Sequence, residues 1–148
     1  MSTANPSRVI DDLLCFDLYS LSRTVTGIYR PVLEPHGLTY PQYLVLVALT
    51  RLGTSSIGDI GRATRLDHGT LTPLLRRMSD RGLVSLQRSV ADARSVTVAL
   101  TKAGEDLGPV LHEAQCHLGD SLGMTEAQVR ELQVTLHRLA DHLDAQPA

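Results

Sequence analysis

Cys15 is one of two cysteines in the chain and lies in the segment Leu14-Cys15-Phe16-Asp17-Leu18-Tyr19, with further tyrosines at Tyr29 and Tyr40. The thiolate is the reactive form of cysteine, and hydroxyl donors stabilise it. A thiol within reach of phenols is therefore a candidate redox centre. The same thiol among apolar side chains can equally be inert packing. A second group of residues carries different chemistry. His68, Gly69, Thr70, Thr72 and Pro73 precede Arg76 and Arg77, and Arg88, Asp92 and Arg94 follow. Small and polar side chains at the start of a helix can enter a DNA major groove. Arginines beyond them can reach phosphates or a guanine edge. Arg94 could enter the minor groove, with Asp92 accepting its hydrogen bonds and holding it extended.

The charge distribution supports the second group. The formal net charge of −2 gives no global signal for nucleic acid. Between Ile60 and Arg94, however, 7 arginines face 3 acids, a local +4, while the other residues carry 7 basic and 13 acidic side chains, or −6. A basic centre between acidic ends suits a binding face on a repelling scaffold; an ordinary solvated helix face is the alternative.

These residues need elements to position them. Ile10, Leu14, Leu18, Leu21, Val25 and Ile28 repeat at helical spacing, which predicts a helix from about Val9 to Tyr29, ended by Pro31 and Pro35. Thr39 and Gln42 form a capping box for a helix burying Leu44, Val47 and Ala48 and stopping at Gly53. Tyr43 reads as core. Ser56 opens a short helix. Asp67 caps the next, starting near His68 and ending before Gly82, with Pro73 disturbing its first turn. Together these form a helix-turn-helix. Leu83, Val84 and Leu86, then Val96, Val98 and Leu100, read as two strands of a hairpin, a wing. Thr101 caps a long helix bent at Gly108-Pro109. Thr125 and Gln128 cap a last helix with Val129, Leu132, Leu136, Leu139 and Leu143 in a narrow stripe. Such stripes at both ends of the chain exceed the needs of one DNA-binding unit and predict a dimer of interlocking terminal helices.

The fold class expected is mainly α: a winged helix-turn-helix over residues 54–100 within a single domain of 1–148, with dimerisation helices in 1–38 and 102–148. A length of 148 residues with 43% hydrophobic content supports one domain with a core. With one Phe, four Tyr and no Trp, that core is aliphatic. No segment approaches the roughly 20 apolar residues of a membrane span. Met1 to Arg8 is short and polar, without a signal core. The chain therefore reads as cytoplasmic, where two cysteines far apart in sequence read as thiols rather than a structural staple. His112, Cys116 and His117 invite a metal reading, but His117 is rotated off the face of the other two, short of four converging ligands. Neither a metal site nor a cofactor is expected.

The run Leu66-Asp67-His68-Gly69-Thr70-Leu71-Thr72-Pro73-Leu74-Leu75-Arg76-Arg77-Met78, with Gly82-Leu83-Val84 and Asp92-Ala93-Arg94-Ser95, resembles the MarR family of winged-helix repressors. Leu14-Cys15-Phe16-Asp17-Leu18-Tyr19 and Leu38-Thr39-Tyr40-Pro41-Gln42-Tyr43 resemble its organic-hydroperoxide-sensing branch, OhrR. The resemblance implies a homodimeric repressor of a pseudo-palindromic double-stranded operator. It implies that Cys15 is the peroxidatic cysteine, with Tyr29, Tyr40 and Tyr19 hydrogen-bonding it across the dimer. Oxidation to sulfenic acid by an organic hydroperoxide would release the operator. His68 stands where many relatives carry Ser. Two-cysteine members form an intersubunit disulfide, which makes Cys116 the candidate resolving cysteine; a buried structural cysteine is the alternative. Two other functions compete. One is a MarR-type repressor released by a small aromatic ligand, with Cys15 merely packed. The other is a thiol peroxidase, for which Cys15 lacks an activating Arg or Thr neighbour.

Overall fold

The computed structural model describes residues 9–92 and 94–146. The polar start read at residues 1–8, and Ala93 of the wing motif, lie outside the described residues. Two compact units are present, one running to Leu118 and one starting at Gly119.

In the first unit, α1 (Leu14–Leu33) and a 3-10 turn (Glu34–His36) lead to α2 (Tyr40–Leu52). A short strand β1 (Ser55–Ser56) enters α3 (Ile57–Thr64), and α4 (His68–Asp80) follows. Strands β2 (Val84–Arg88) and β3 (Val96–Leu100) come next, then α5 (Lys102–Glu105) and α6 (Gly108–Leu122). The second unit carries α7 (Glu126–Asp144).

The aliphatic core of the first unit is built where these elements meet. Val45 and Leu46 of α2, Ile60 of α3, Leu71, Leu75 and Met78 of α4, and Val98 of β3 are almost fully buried. Each such side chain removed from water is worth about 1.5–3 kcal/mol. In α4 the buried residues Leu71, Leu74, Leu75 and Met78 repeat at helical spacing, which turns Gly69, Pro73, Arg76 and Arg77 outward.

The caps hold the helices where the sequence puts them. The Gln42 N–H donates to Thr39 Oγ1, and the Thr39 N–H donates to Gln42 Oε1. Thr125 and Gln128 repeat this at α7. Gly82 sits at φ +73° after α4, in the left-handed region that only glycine enters freely. Its N–H donates to Ser79 O and that of Leu83 to Met78 O, closing the helix end and launching β2.

Several expectations change. Helix α1 begins at Leu14, not Val9, and runs through Pro31 to Leu33. Val9 and Ile10 are exposed and find no core surface in this chain to support a helical turn, whereas burial of Leu33 carries the C-terminal end past the proline. In α2 the buried face is Val45, Leu46, Ala48 and Leu49 with Tyr43; Leu44 and Val47 are only half-buried. The wing gains a third strand, with β1 pairing antiparallel to β3 at Ser55↔Val98 and Ser56↔Thr97. The helix expected from Thr101 is divided into α5 and α6. Thr101 still caps, accepting from the Gly104 N–H at 3.1 Å.

Candidate functional site

The α4 surface is fixed at its start by Asp67. Its Oδ1 accepts the Thr70 N–H at 2.8 Å, and its Oδ2 accepts the Thr70 hydroxyl at 2.8 Å. These bonds hold its carboxyl below the usual carboxylate range, the hydroxyl of Thr70 contributing most and its N–H next. Thr70 therefore donates its hydroxyl hydrogen within the protein and offers outward a methyl group and oxygen lone pairs. Thr72 Oγ1 lies 3.2 Å from His68 Nδ1, which orients the imidazole. His68, Gly69, Thr70, Pro73, Arg76 and Arg77 are exposed and Thr72 is half-buried. Pro73 stands inside α4, where it removes the hydrogen bond its N–H would give to Gly69. Arg76 lies about 12 Å along the helix from His68, at 1.5 Å per residue.

In the wing, β2 and β3 pair from Val84↔Leu100 to Arg88↔Val96. The Ser89 N–H donates to Ser95 O at 2.8 Å and closes the loop. Asp92 differs from expectation: its carboxylate accepts the backbone N–H of Arg94 at 3.0 Å. It shapes the turn that presents Arg94, because an Asp side chain readily bonds the backbone two residues on. Arg88, Asp92 and Arg94 are all exposed.

Cys15 occupies the second position of α1 and is exposed. The start of α1 at Leu14 puts Cys15 in the first turn rather than the middle of the helix. Asp17 shares that turn. Tyr19 follows one turn later, 61% exposed, with the Arg23 guanidinium 5.6 Å from its ring centre. Tyr29 and Tyr40 sit elsewhere, in a cluster completed by Tyr43. The ring centres are 5.0 Å apart for Tyr29–Tyr40 and 4.9 Å for Tyr29–Tyr43. Burial raises the phenols of Tyr29 and Tyr40, and Tyr43 raises both further. They stay protonated donors well into the alkaline range. Along one helix Tyr29 lies about 21 Å beyond Cys15, so the two cannot meet within one chain through α1.

Beside the tyrosines an open cleft of about 570 Å³ is lined by Arg23, Arg30, Glu34, Gly37 and Tyr40, among others. Two of its features escape sequence reading. Arg23 borders this cleft and a second groove with Phe16 and Tyr19. Arg81, just past α4, donates to Gly37 O at 2.6 Å and to His36 O at 3.0 Å. The end of α4 is thus tied to the 3-10 turn that follows α1.

Cys116 is exposed on α6, with its Sγ 3.6 Å from His112 Nε2. Among the described residues, no group of three or more His, Cys, Asp or Glu is placed to hold a metal ion.

A MarR family model matches residues 36–95, from the end of the 3-10 turn to the loop before β3. The organic hydroperoxide resistance transcriptional regulator of Bacillus subtilis (strain 168) is 38% identical over 138 residues, covering 90% of this chain and 91% of its own. The chain belongs to the MarR family. Its class is that of winged-helix transcriptional regulators rather than enzymes. Among solved MarR-family structures, reduced AbfR bound to DNA matches with a TM-score of 0.75 at 30% identity, covering 90% of this chain and 94% of that one. The disulfide-formed AbfR matches at 0.64 and 34%, covering 86% and 89%. AbfR comes from Staphylococcus epidermidis.

Proposed function

We propose that this MarR-family protein is a repressor that binds double-stranded DNA as a homodimer and leaves its operator when an organic hydroperoxide oxidises Cys15. One observation carries the reading: the chain places an exposed cysteine in the first turn of α1 and, where the far end of α1 meets α2, a tyrosine cluster of protonated donors. The resemblance to the hydroperoxide-sensing branch assigns the phenols of Tyr29 and Tyr40 to the thiol of the partner subunit, and their separation from Cys15 along α1 fits that assignment. Tyr19 joins them across the dimer.

Support for the dimer comes from apolar side chains without cover in the single chain. On α1 these are Leu14, Leu18 and Leu21; on α7 they are Leu132, Leu136, Leu139 and Leu143. In this reading residues 1–38 and 102–148 dimerise, and 54–100 meet DNA. Gly69, Thr70 and Pro73 face base edges, Arg76 and Arg77 take phosphates or guanine, and His68, held by Thr72, borders the groove. Arg88 and Arg94 follow the wing toward the minor groove, Asp92 shaping the loop. Binding to DNA places the protein in the cytoplasm, and among the described residues no helix is long and apolar enough to cross a membrane.

The oxidised thiol becomes a sulfenic acid, and Cys116 of the partner closes it as a disulfide. The B. subtilis relative is named for organic hydroperoxide resistance, and AbfR is known in reduced DNA-bound and disulfide forms. The cleft lined by Arg23, Arg30 and Tyr40 favours a second reading, release by a small aromatic anion.

The test uses a DNA fragment selected by the reduced protein from random sequence. Cumene hydroperoxide should release wild type, while Cys15→Ser binds the fragment equally and stays bound. Release of Cys15→Ser by an aromatic carboxylate, with no response of wild type to peroxide, would select the second reading.

A further inference from the structure

His112 and Cys116 lie one turn apart on α6, and the contact between Nε2 and Sγ, at 3.6 Å, is within reach of a hydrogen bond to sulfur. A nucleophile beside a base is the arrangement that activates a thiol. We infer that His112 is the general base, and then the general acid, of the step in which Cys116 resolves oxidised Cys15. The inference rests on the two-cysteine reading above.

In the first step the Cys15 thiolate attacks the hydroperoxide. A sulfur–oxygen bond forms, the oxygen–oxygen bond breaks, and the alkoxide leaves and takes a proton as the alcohol. In the second, the Cys116 S–H proton passes to Nε2 of His112. The thiolate attacks the Cys15 sulfur; the disulfide bond forms and the sulfur–oxygen bond breaks. The hydroxide that leaves takes the proton back from His112 as water. One hydroperoxide and two thiols thus become one disulfide, one alcohol and one water.

In this role Nε2 of His112 accepts the thiol hydrogen, so the ring's own hydrogen sits on Nδ1. The groove beside His112 is lined by Val47, Thr50 and Arg51 of α2 and by Gly108, Leu111 and Gln115 of α6, with no carboxylate. The positions one turn away on its own helix are Gly108, Pro109, Gln115 and Cys116. Glu113, His117 and Asp120 are the other titratable groups nearby in α6. His112 is exposed, so its replacement leaves the core intact.

The test compares reduced full-length wild type, His112→Gln and Cys116→Ser after cumene hydroperoxide. Dimedone trapping reads the Cys15 sulfenic acid, and non-reducing gels read the covalent dimer. His112→Gln should form the sulfenic acid at the wild-type rate yet close the disulfide about tenfold or more slowly, the low end of what a positioned base supplies. Its disulfide rate should rise more steeply with pH than that of wild type, because solvent must then take the Cys116 proton. A wild-type rate and pH profile in His112→Gln, with Cys116→Ser blocking the crosslink, overturns the role of His112 alone. A crosslink that survives Cys116→Ser overturns the two-cysteine reading and this role with it.

Discussion

Cys15 is an exposed thiol in the first turn of α1, while Tyr29 lies near the far end of that helix and Tyr40 opens α2. Burial has a measurable consequence for the phenols. Their pKa values are raised in the fold, so the neutral forms stabilise it fully below the unfolded value of about 10 and that stability is lost as pH rises above it. Tyr29→Phe should therefore flatten the alkaline fall in unfolding temperature, measured alongside tyrosinate absorbance. Asp67 works in the opposite direction. Its lowered carboxyl contributes stability above the unfolded value of about 3.9 and loses it as pH falls through the folded one. Wild type should exceed Asp67→Ala in thermal stability near neutrality, and the gap should shrink in acid. A constant gap would show that the cap does not depend on the charge.

Elements are held by short local devices and by one close approach. Loss of the Thr39 cap in Thr39→Ala should cost about 1 kcal/mol in denaturant unfolding. Gly104 is a stricter case. A Cβ there would collide with the carbonyl oxygen of Leu83, backbone against backbone, with Leu100 Cδ2 3.2 Å away. The Thr101 N–H also donates to Leu83 O at 3.1 Å, so α5 is pressed onto the strand that starts the wing. Gly104→Ala should destabilise by at least about 1–3 kcal/mol, the usual range for overpacking, and should loosen the wing. Arg81 joins two elements across the unit, and Arg81→Ala should weaken DNA binding without touching any residue that faces DNA.

For the whole molecule the balance of charge predicts how it meets its partner. The basic centre carries Arg76, Arg77, Arg88 and Arg94 on its exposed helix and wing, while the rest is acidic. Affinity for DNA should fall steeply with salt, and removing one phosphate-binding arginine should lower the log–log slope by about 1. Arg76→Ala tests this by titration at several salt concentrations. An unchanged slope with lost sequence preference would instead assign Arg76 to a base. The uncovered leucines of α7 predict that Leu136→Glu yields a monomer by light scattering and loses the operator, since one half-site alone binds weakly.

The sequence alone places the helix-turn-helix, the wing and the basic residues on them, because their signals are local. Asp67 caps α4, Gly82 ends it, and apolar residues one turn apart turn Arg76 and Arg77 outward. The i, i+4 spacing of His112 and Cys116 is legible in the same way, though not its use. What it leaves open depends on contacts between distant residues. The first turn of α1 starts at Leu14 because nothing among the described residues covers Val9 and Ile10, and its end passes Pro31 because Leu33 finds the core. Ser55 and Ser56 become a strand only because β3 lies beside them. Tyr43, read as core, is core and also the third ring of the tyrosine cluster, and Arg81 reaches back to residues 36 and 37. Packing of remote segments creates these arrangements, and the start of α1, which puts Cys15 in its first turn, follows from where such packing is lacking.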